Sequence, residues 1–344
     1  MSLASFESAD ADTDTDTDIN TNIGLNCQVR QSRQTDFSAI QSLFVRAFGT
    51  PLLPARWHWK YAHAPFWGTV VERNHHSIGF FGGMPRAFTL RNQSVLGVQI
   101  GDTMVDPQQR GVSTRKGPFM LAAAAYFEQL DTLHPGAQFA FGFPPERVLA
   151  LGLRLGLYAQ IDHISILMWP SLQPKRHVFS KTRVINNWPI ERRQQAIAHV
   201  WAGMHSSWAN MLLPVRDASW LQYRYLDHPE KAYELLLVTS RFTGSPQALV
   251  VVQTHADHLE LMDYIGPPQG VALAVRAARM HAANKGLAQV HGWFSRQLTH
   301  ILNQGQPVVH PSGIAVATNA WRRPHLPEAL TSPIWLMSGD TDYR

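Results

Sequence analysis

The sequence predicts an α+β protein built from two similar halves, and three observations carry that expectation. Strand-like and helix-like segments alternate over most of the 344 residues, of which 45% are hydrophobic and 16% charged. Such a chain is long and apolar enough for more than one core. A connection holding Pro170, Pro174 and Lys175 interrupts the periodic segments near the middle. Finally, "WKYAHAP" (Trp59 to Pro65) can be laid on "YRYLDHP" (Tyr223 to Pro229) at an offset of 164. A period of that size means two copies of one domain, not a solenoid.

Taken in order, residues 1–25 contain "ADADTDTDTDINTN", small polar and acidic side chains that cannot bury apolar area. They are expected to form a disordered acidic tail. "DFSAIQSLFVRAFG" sets Phe37, Ile40, Leu43, Phe44 and Phe48 at helical spacing, with Gly49 as the stop. "GTVVER", "SIGFFGGMPRAFTL" and "VLGVQIGDTMV" read as strands. A helix is expected from about Pro118 to Leu130, then a buried strand at "AQFAFGFP", a helix at "ERVLALGLRLGL" and a strand at "YAQIDHISILMW". The second set starts near Trp188 with "YELLLVTSR", "ALVVVQTH" and "LELMDYIG" as strands. It continues with a helix at "GVALAVRAARMHAANKG", then "AQVHGWFS" and a last strand at "SPIWLMSG". The expected domains are residues 26–174 and 175–344.

Charge narrows the partners. The net charge is +5, but six of the 25 acidic residues lie in the first 24 positions, leaving 19 against 30 basic residues, about +11, in the body. A positive body favours anionic ligands. The basic residues form no Lys/Arg tract interleaved with aromatics, so a nucleic-acid partner is not expected. No apolar run approaches the roughly 18–20 residues of a membrane helix. A single cysteine, Cys27, excludes an internal disulfide framework and fits a reducing cytoplasm, the expected location. The 17 histidines include no HExxH, and one cysteine cannot build a thiolate cage, so no metal site is expected. His75 and His76 fall in a turn at "RNHHS". No G-x-S-x-G elbow is present, which argues against nucleophilic hydrolysis.

The most informative stretch is Gly101 to Phe119, "GDTMVDPQQRGVSTRKGPF", followed by "MLAAAAYFEQL". It is a strand, a basic loop and a helix, the arrangement that commonly holds phosphate. Gly111 and Gly117 allow close backbone approach, Ser113 and Thr114 add hydroxyls, and Arg110, Arg115 and Lys116 add charge ahead of a helix N-terminus. Neither GxxxxGK[ST] nor GxGxxG occurs, which disfavours nucleotide and dinucleotide folds.

"IGDTMVDPQQRG" resembles the fourth strand and acyl-CoA loop of the GNAT acyl-CoA N-acyltransferase superfamily. "FGFPPERVLALGLRLGLY" is similar to the family's next unit, a strand then N-x-x-A-x-x-x-Y-x-x-x-G-F on a helix. Pro145 stands at the Asn position, Gly156 at the glycine and Leu157 at the aromatic. The two motifs, in order, cover about residues 27–170. The resemblance implies two GNAT-like domains, each a mixed, mostly antiparallel sheet flanked by helices. It implies acetyl-CoA or another acyl-CoA as co-substrate. Thr103, Met104 and Val105 would line the pantetheine and acyl group, and Arg110, Gly111, Val112, Ser113, Thr114, Arg115, Lys116 and Gly117 would cradle the pyrophosphate.

The chain departs from the family pattern in two places. Its loop is expanded, with Ser113 and Arg115 at glycine positions. The family tyrosine that commonly protonates the leaving thiolate falls on Gly152, which makes Tyr158 the nearest phenol by sequence. Asp102 stands where the family often carries an acidic base, and Glu72 is a second carboxylate on a neighbouring strand. The corresponding junction of the second half, "MDYIGPPQGVALAV", offers no Arg or Lys until Arg276, which implies a degenerate copy shaping the acceptor groove. The chain ends at "WLMSGDTDYR", expected to be a frayed acidic end, although in some multi-domain relatives the terminus reaches the active site. The expected function is N-acyl transfer to an amine of a small molecule or peptide. Two other readings stay open: a non-catalytic acyl-CoA or small-anion-binding protein, and a transferase using another donor such as aminoacyl-tRNA.

Overall fold

The periodic segments become thirteen strands and eight α-helices among the residues that the computed structural model describes, 27–64, 66–110, 116–173 and 178–341. The first half contains β1 (Cys27–Gln31), α1 (Phe37–Phe48), α2 (Pro54–Lys60), β2 (Gly68–Arg73), β3 (His76–Leu90) and β4 (Gln93–Val105). It continues with α3 (Pro118–Glu128), α4 (Leu130–Leu133), β5 (Ala137–Gly142), α5 (Glu146–Leu155) and β6 (Tyr158–Pro170). The second half contains β7 (Ser180–Val184), α6 (Ile190–Ser207), β8 (Leu213–Pro214), α7 (Ala218–Leu221), β9 (Glu234–Ser240) and β10 (Pro246–Thr254). After these come β11 (Leu259–Ile265), α8 (Val271–Asn284), β12 (Gln289–Ser295) and β13 (Val308–Asn319). Gly49 and Gly156 end α1 and α5 with φ of 74° and 71°, the left-handed turn that glycine adopts without a Cβ penalty. The acidic tail lies outside the described residues.

Successive strand residues point to opposite faces, and the first half buries both. Val70 and Phe80 pack with Ile40 and Leu43 of α1 and Trp57 of α2. Val71 and Phe81, one residue along, pack with Met120, Ala123 and Tyr126 of α3.

All of the strands join one sheet. Its order is β1-β2-β3-β4-β5-β13-β6-β12-β11-β10-β9-β7, with β8 on β3. Neighbours along this path are antiparallel except β4 with β5 and β11 with β12, which are parallel. The order therefore reads alike from either edge about the central pair, β13 and β6. Each half supplies five strands in the same sequence and lends its last long strand to the other. β13 lies against β5, and β6 lies against β12. The expected division at 174 and 175 falls within residues 174–177, outside the described residues, and β6, the strand before it, lies among the strands of the second half.

The last strand is a correction. "SPIWLMSG" was expected to be it, but residues 332–339 make only isolated bridges, Leu212 to Ile334 and Phe294 to Met337. The strand is instead β13, "VVHPSGIAVATN". Pro311 and Gly313 break its alternation, and its pairing with β6 shifts register between Pro311 and Ala315. An irregular strand of this kind is held by partners on both sides, not by local propensity.

Candidate active site

β4 and β5 pair from Leu96 with Ala137 as far as Gln99 with Phe141, and then the ladder stops. Beyond that point a cavity of about 1140 Å³ opens. Phe44 and Phe48 of α1, Phe119 and Phe127 of α3, and Phe141 of β5 supply apolar walls. Arg56, Lys60, Arg110, Arg147 and Arg154 border it, with Asp102 as its one carboxylate among the described residues. An apolar cavity ringed by cations suits a ligand with a long neutral arm and an anionic head.

Asp102 owes its position to a bulge. Pairing passes from Gly82 with Gly101 to Phe80 with Met104, so Phe81 faces two residues of β4. Asp102 takes the left-handed conformation, φ 48°, which aspartate tolerates better than most residues, and such a bulge re-aims the side chain. Its carboxylate accepts from Lys60 Nζ at 2.7 Å and from the Tyr61 hydroxyl at 2.9 Å, with side-chain exposures of only 9% for Lys60 and 10% for Asp102. Thr103 and Val105 line the cavity. Met104, expected beside them, turns into the core against Phe80 and Trp57. Glu72 lies away from the cavity and pairs with Arg30 at 2.6 Å.

At the loop, Asp106 accepts from the Gln108 amide at 3.0 Å and pairs with Arg46 of α1 at 2.7 Å. Arg110 borders the cavity, donating from Nε to the Val105 carbonyl and from Nη2 to the Ala47 carbonyl, both at 3.1 Å. Gly117 is the N-cap of α3, and Pro118 opens the helix at the cavity wall. Lys116 is exposed. Gly111, Val112, Ser113, Thr114 and Arg115 lie outside the described residues.

Tyr158 stands at the start of β6, edge-on to Phe119 and Phe127, and lines the cavity. Its ring lies over Gly152, where a Cβ would run into it. Gly152 thus makes the room that the Tyr158 ring fills. Burial pushes the Tyr158 phenol well above its ordinary value, so it stays protonated at neutral pH. Across the ladder, Tyr158 faces Asn319 of β13. Asn319 Oδ1 accepts from the Ala140 amide at 2.8 Å, while its Nδ2 is buried at the cavity wall without a hydrogen-bond partner. Sequence reasoning missed Lys60, Arg147, Arg154 and Asn319. Arg147 and Arg154, seven apart on one face of α5, were readable as a helical stripe. Asn319 was not, because only the strand exchange brings it here.

The corresponding gap in the second half is filled. β11 and β12 pair from Leu259 with Val290 to Leu261 with Gly292. The chain's last described segment then enters between them. Ser295 donates its amide to the Leu336 carbonyl at 3.0 Å, and Ser338 Oγ accepts from the Trp293 amide at 2.9 Å. Trp335 is fully buried, edge-on to Phe294. Arg216 joins Asp263 of β11 to Asp340, each at 2.6 Å, and Arg86 donates to Asp340 from the first half at 3.2 Å. The expected frayed acidic end is, through Thr341, buried.

No protein-family model matches the chain, and no curated protein matches its sequence. Solved structures do match its fold. A conserved protein of unknown function from Enterococcus faecalis, described as a "Probable N-Acyltransferase", has a TM-score of 0.65 at 13% identity over 86% of this chain and 73% of its own. A GCN5-related N-acetyltransferase from Kribbella flavida has a TM-score of 0.59 at 14% identity, over 85% and 70%. The Saccharomyces cerevisiae N-myristoyltransferase with bound myristoyl-CoA has a TM-score of 0.55 at 10% identity, over 90% and 86%. At these identities the likeness concerns architecture alone. The chain has the fold of the GNAT acyltransferase superfamily, in a tandem arrangement.

Proposed function

We propose that the chain is an N-acyltransferase that moves an acyl group from acyl-CoA to an amine, using the first-half cavity. The observation that carries this reading is the cavity itself, set where the parallel strands part and faced by a carboxylate and a phenol. The pantetheine arm runs along the apolar wall past Thr103 and Val105. Arg110 and the N-terminus of α3 face the pyrophosphate. The amine nitrogen attacks the thioester carbonyl, the C–N bond forms and the C–S bond breaks. Asp102, directly or through water, takes the proton lost by nitrogen, and Tyr158 gives one to the departing sulfur.

Calorimetric titration of acetyl-CoA and of longer acyl-CoAs, with and without nucleic acid, tests the donor. Sub-millimolar binding that nucleic acid leaves unchanged is expected, and its absence for every acyl-CoA overturns the proposal. Tyr158→Phe should lower turnover by roughly 10²–10⁴-fold with little change in acyl-CoA affinity. Asp102→Asn should depress turnover most at neutral pH, with the loss easing as free amine accumulates at higher pH.

A further inference from the structure

Far from the cavity, the turn between β10 and β11 gathers groups that the acyl-transfer reading leaves unused. His255, His258 and Glu260 each offer a ligand atom within 4.8 Å of the others. His255 Nε2 and Glu260 Oε2 are 3.1 Å apart, and two ligands about 2.0–2.1 Å from a tetrahedral zinc ion lie about 3.3 Å from each other. The Glu260 carboxylate is 2% exposed and sits on a strand, so it is fixed in place. The His255 amide donates to the His258 carbonyl at 2.9 Å, closing the turn that brings the two rings together.

Surrounding acceptors set the tautomers. His258 Nδ1 lies 2.7 Å from Asp257 Oδ1. An ionised carboxylate only accepts, so Nδ1 carries the proton and Nε2 keeps its lone pair. This carboxylate–histidine arrangement orients metal ligands in zinc sites. On β12, His291 pairs with Glu260 across the parallel ladder. Its Nε2 is 2.8 Å from Gln289 Oε1. The three rings stack, with centroids 4.6 Å apart for His255 and His258 and 4.2 Å for His258 and His291.

We infer that His255, His258 and Glu260 form a zinc-binding site that clips the β10–β11 turn onto the sheet. Imidazole nitrogens with one carboxylate suit Zn²⁺ over Ca²⁺ or Mg²⁺, which take oxygen. Zn²⁺ displaces the proton that His255 Nε2 otherwise shares with Glu260. A metal lies in the plane of the imidazole that binds it. The His255 ring therefore tilts toward the edge of His258 as the shell closes, and with a side chain 36% exposed it has room to do so.

The test is calorimetric titration of ZnCl₂ alone into the full chain after chelator treatment. One Zn²⁺ per chain with a micromolar or tighter Kd is expected. The double variant His255→Ala with His258→Ala should bind about 100-fold more weakly or worse, while His75→Ala with His76→Ala should bind as the unaltered chain does. Co²⁺ in place of Zn²⁺ should give intense tetrahedral visible bands. If the double variant does not fold, Glu260→Gln, which keeps the side chain's size, should still lower affinity about 10–100-fold. Absence of a one-to-one heat, full affinity in the foldable variants, or equal loss in the His75 and His76 control each overturns the site.

Discussion

Tyr61 and Tyr225 occupy the same position of the internal repeat, and each donates at 2.9 Å to a carboxylate on the fourth strand of its half. Their settings differ. Asp102, the acceptor of Tyr61, borders a cavity of about 1140 Å³. Asp263, the acceptor of Tyr225, is fully buried, and its gap is occupied by Trp335 and the residues that follow. Burial pushes the Asp263 carboxyl up, opposed by Arg216 and reinforced by Asp340. One scaffold thus yields an open site and a sealed one, and the difference lies in a segment outside the repeated strands. Filling the second gap buries Trp335 and ties Asp263 to Asp340 through Arg216.

The largest expected effect comes from emptying the sealed gap. Trp335→Ala should cost about 3–5 kcal/mol of stability, read from urea unfolding, while acyl-CoA affinity in the first half holds. An unchanged unfolding midpoint would break the comparison. Next come two glycines under tyrosine rings. An added Cβ at Gly152 meets the Tyr158 ring, and one at Gly339 meets the Tyr225 hydroxyl. Each alanine variant should lose about 1–3 kcal/mol, but only Gly152→Ala should also lower turnover, because it alone displaces a group facing the cavity. Equal turnover in the two variants would count against Tyr158.

A smaller effect probes the seam. Trp59 and Tyr223, equivalent in the repeat, stack at 5.3 Å and exchange hydrogen bonds. Trp59 Nε1 donates to the Tyr223 carbonyl at 2.8 Å, and the Tyr223 hydroxyl donates to the Trp59 carbonyl at 2.9 Å. Tyr223→Phe should cost about 0.5–1.5 kcal/mol by the same unfolding measurement. The smallest effect is in acid. Burial alone would raise Asp36 and Glu234, but Arg30 holds Asp36 below its ordinary value, and Lys285 with His281 does the same for Glu234. A depressed carboxyl contributes stability above its unfolded value near 4, and that stability is lost as pH falls. Each half should therefore give up roughly 0.2–1 kcal/mol below about pH 4. Asp36→Asn and Glu234→Gln should flatten unfolding midpoints measured from pH 6 to 3.

What the sequence determined by itself is the local and the repeated. Apolar spacing marked α1, the strands β2 to β6 and α8, because each buries one or two faces whose period is written along the chain. Asp102 and Tyr158, which border the cavity, could be picked out because they lie beside motifs of short span. The offset of 164 foretold a repeat, and the stacked Trp59 and Tyr223 are its physical expression. Tertiary structure alone decided the rest. Exchange of β6 and β13 carries no local signal, since an edge strand accepts any partner with matching register, and β13 is broken by Pro311 and Gly313. That exchange delivers Asn319 to the cavity of the first half. Long-range packing likewise brings Lys60 to Asp102, closes the second gap with Trp335, and stacks His291 of β12 on His258. These are contacts between residues distant in sequence, fixed by where the strands lie and not by what stands next to them in the chain.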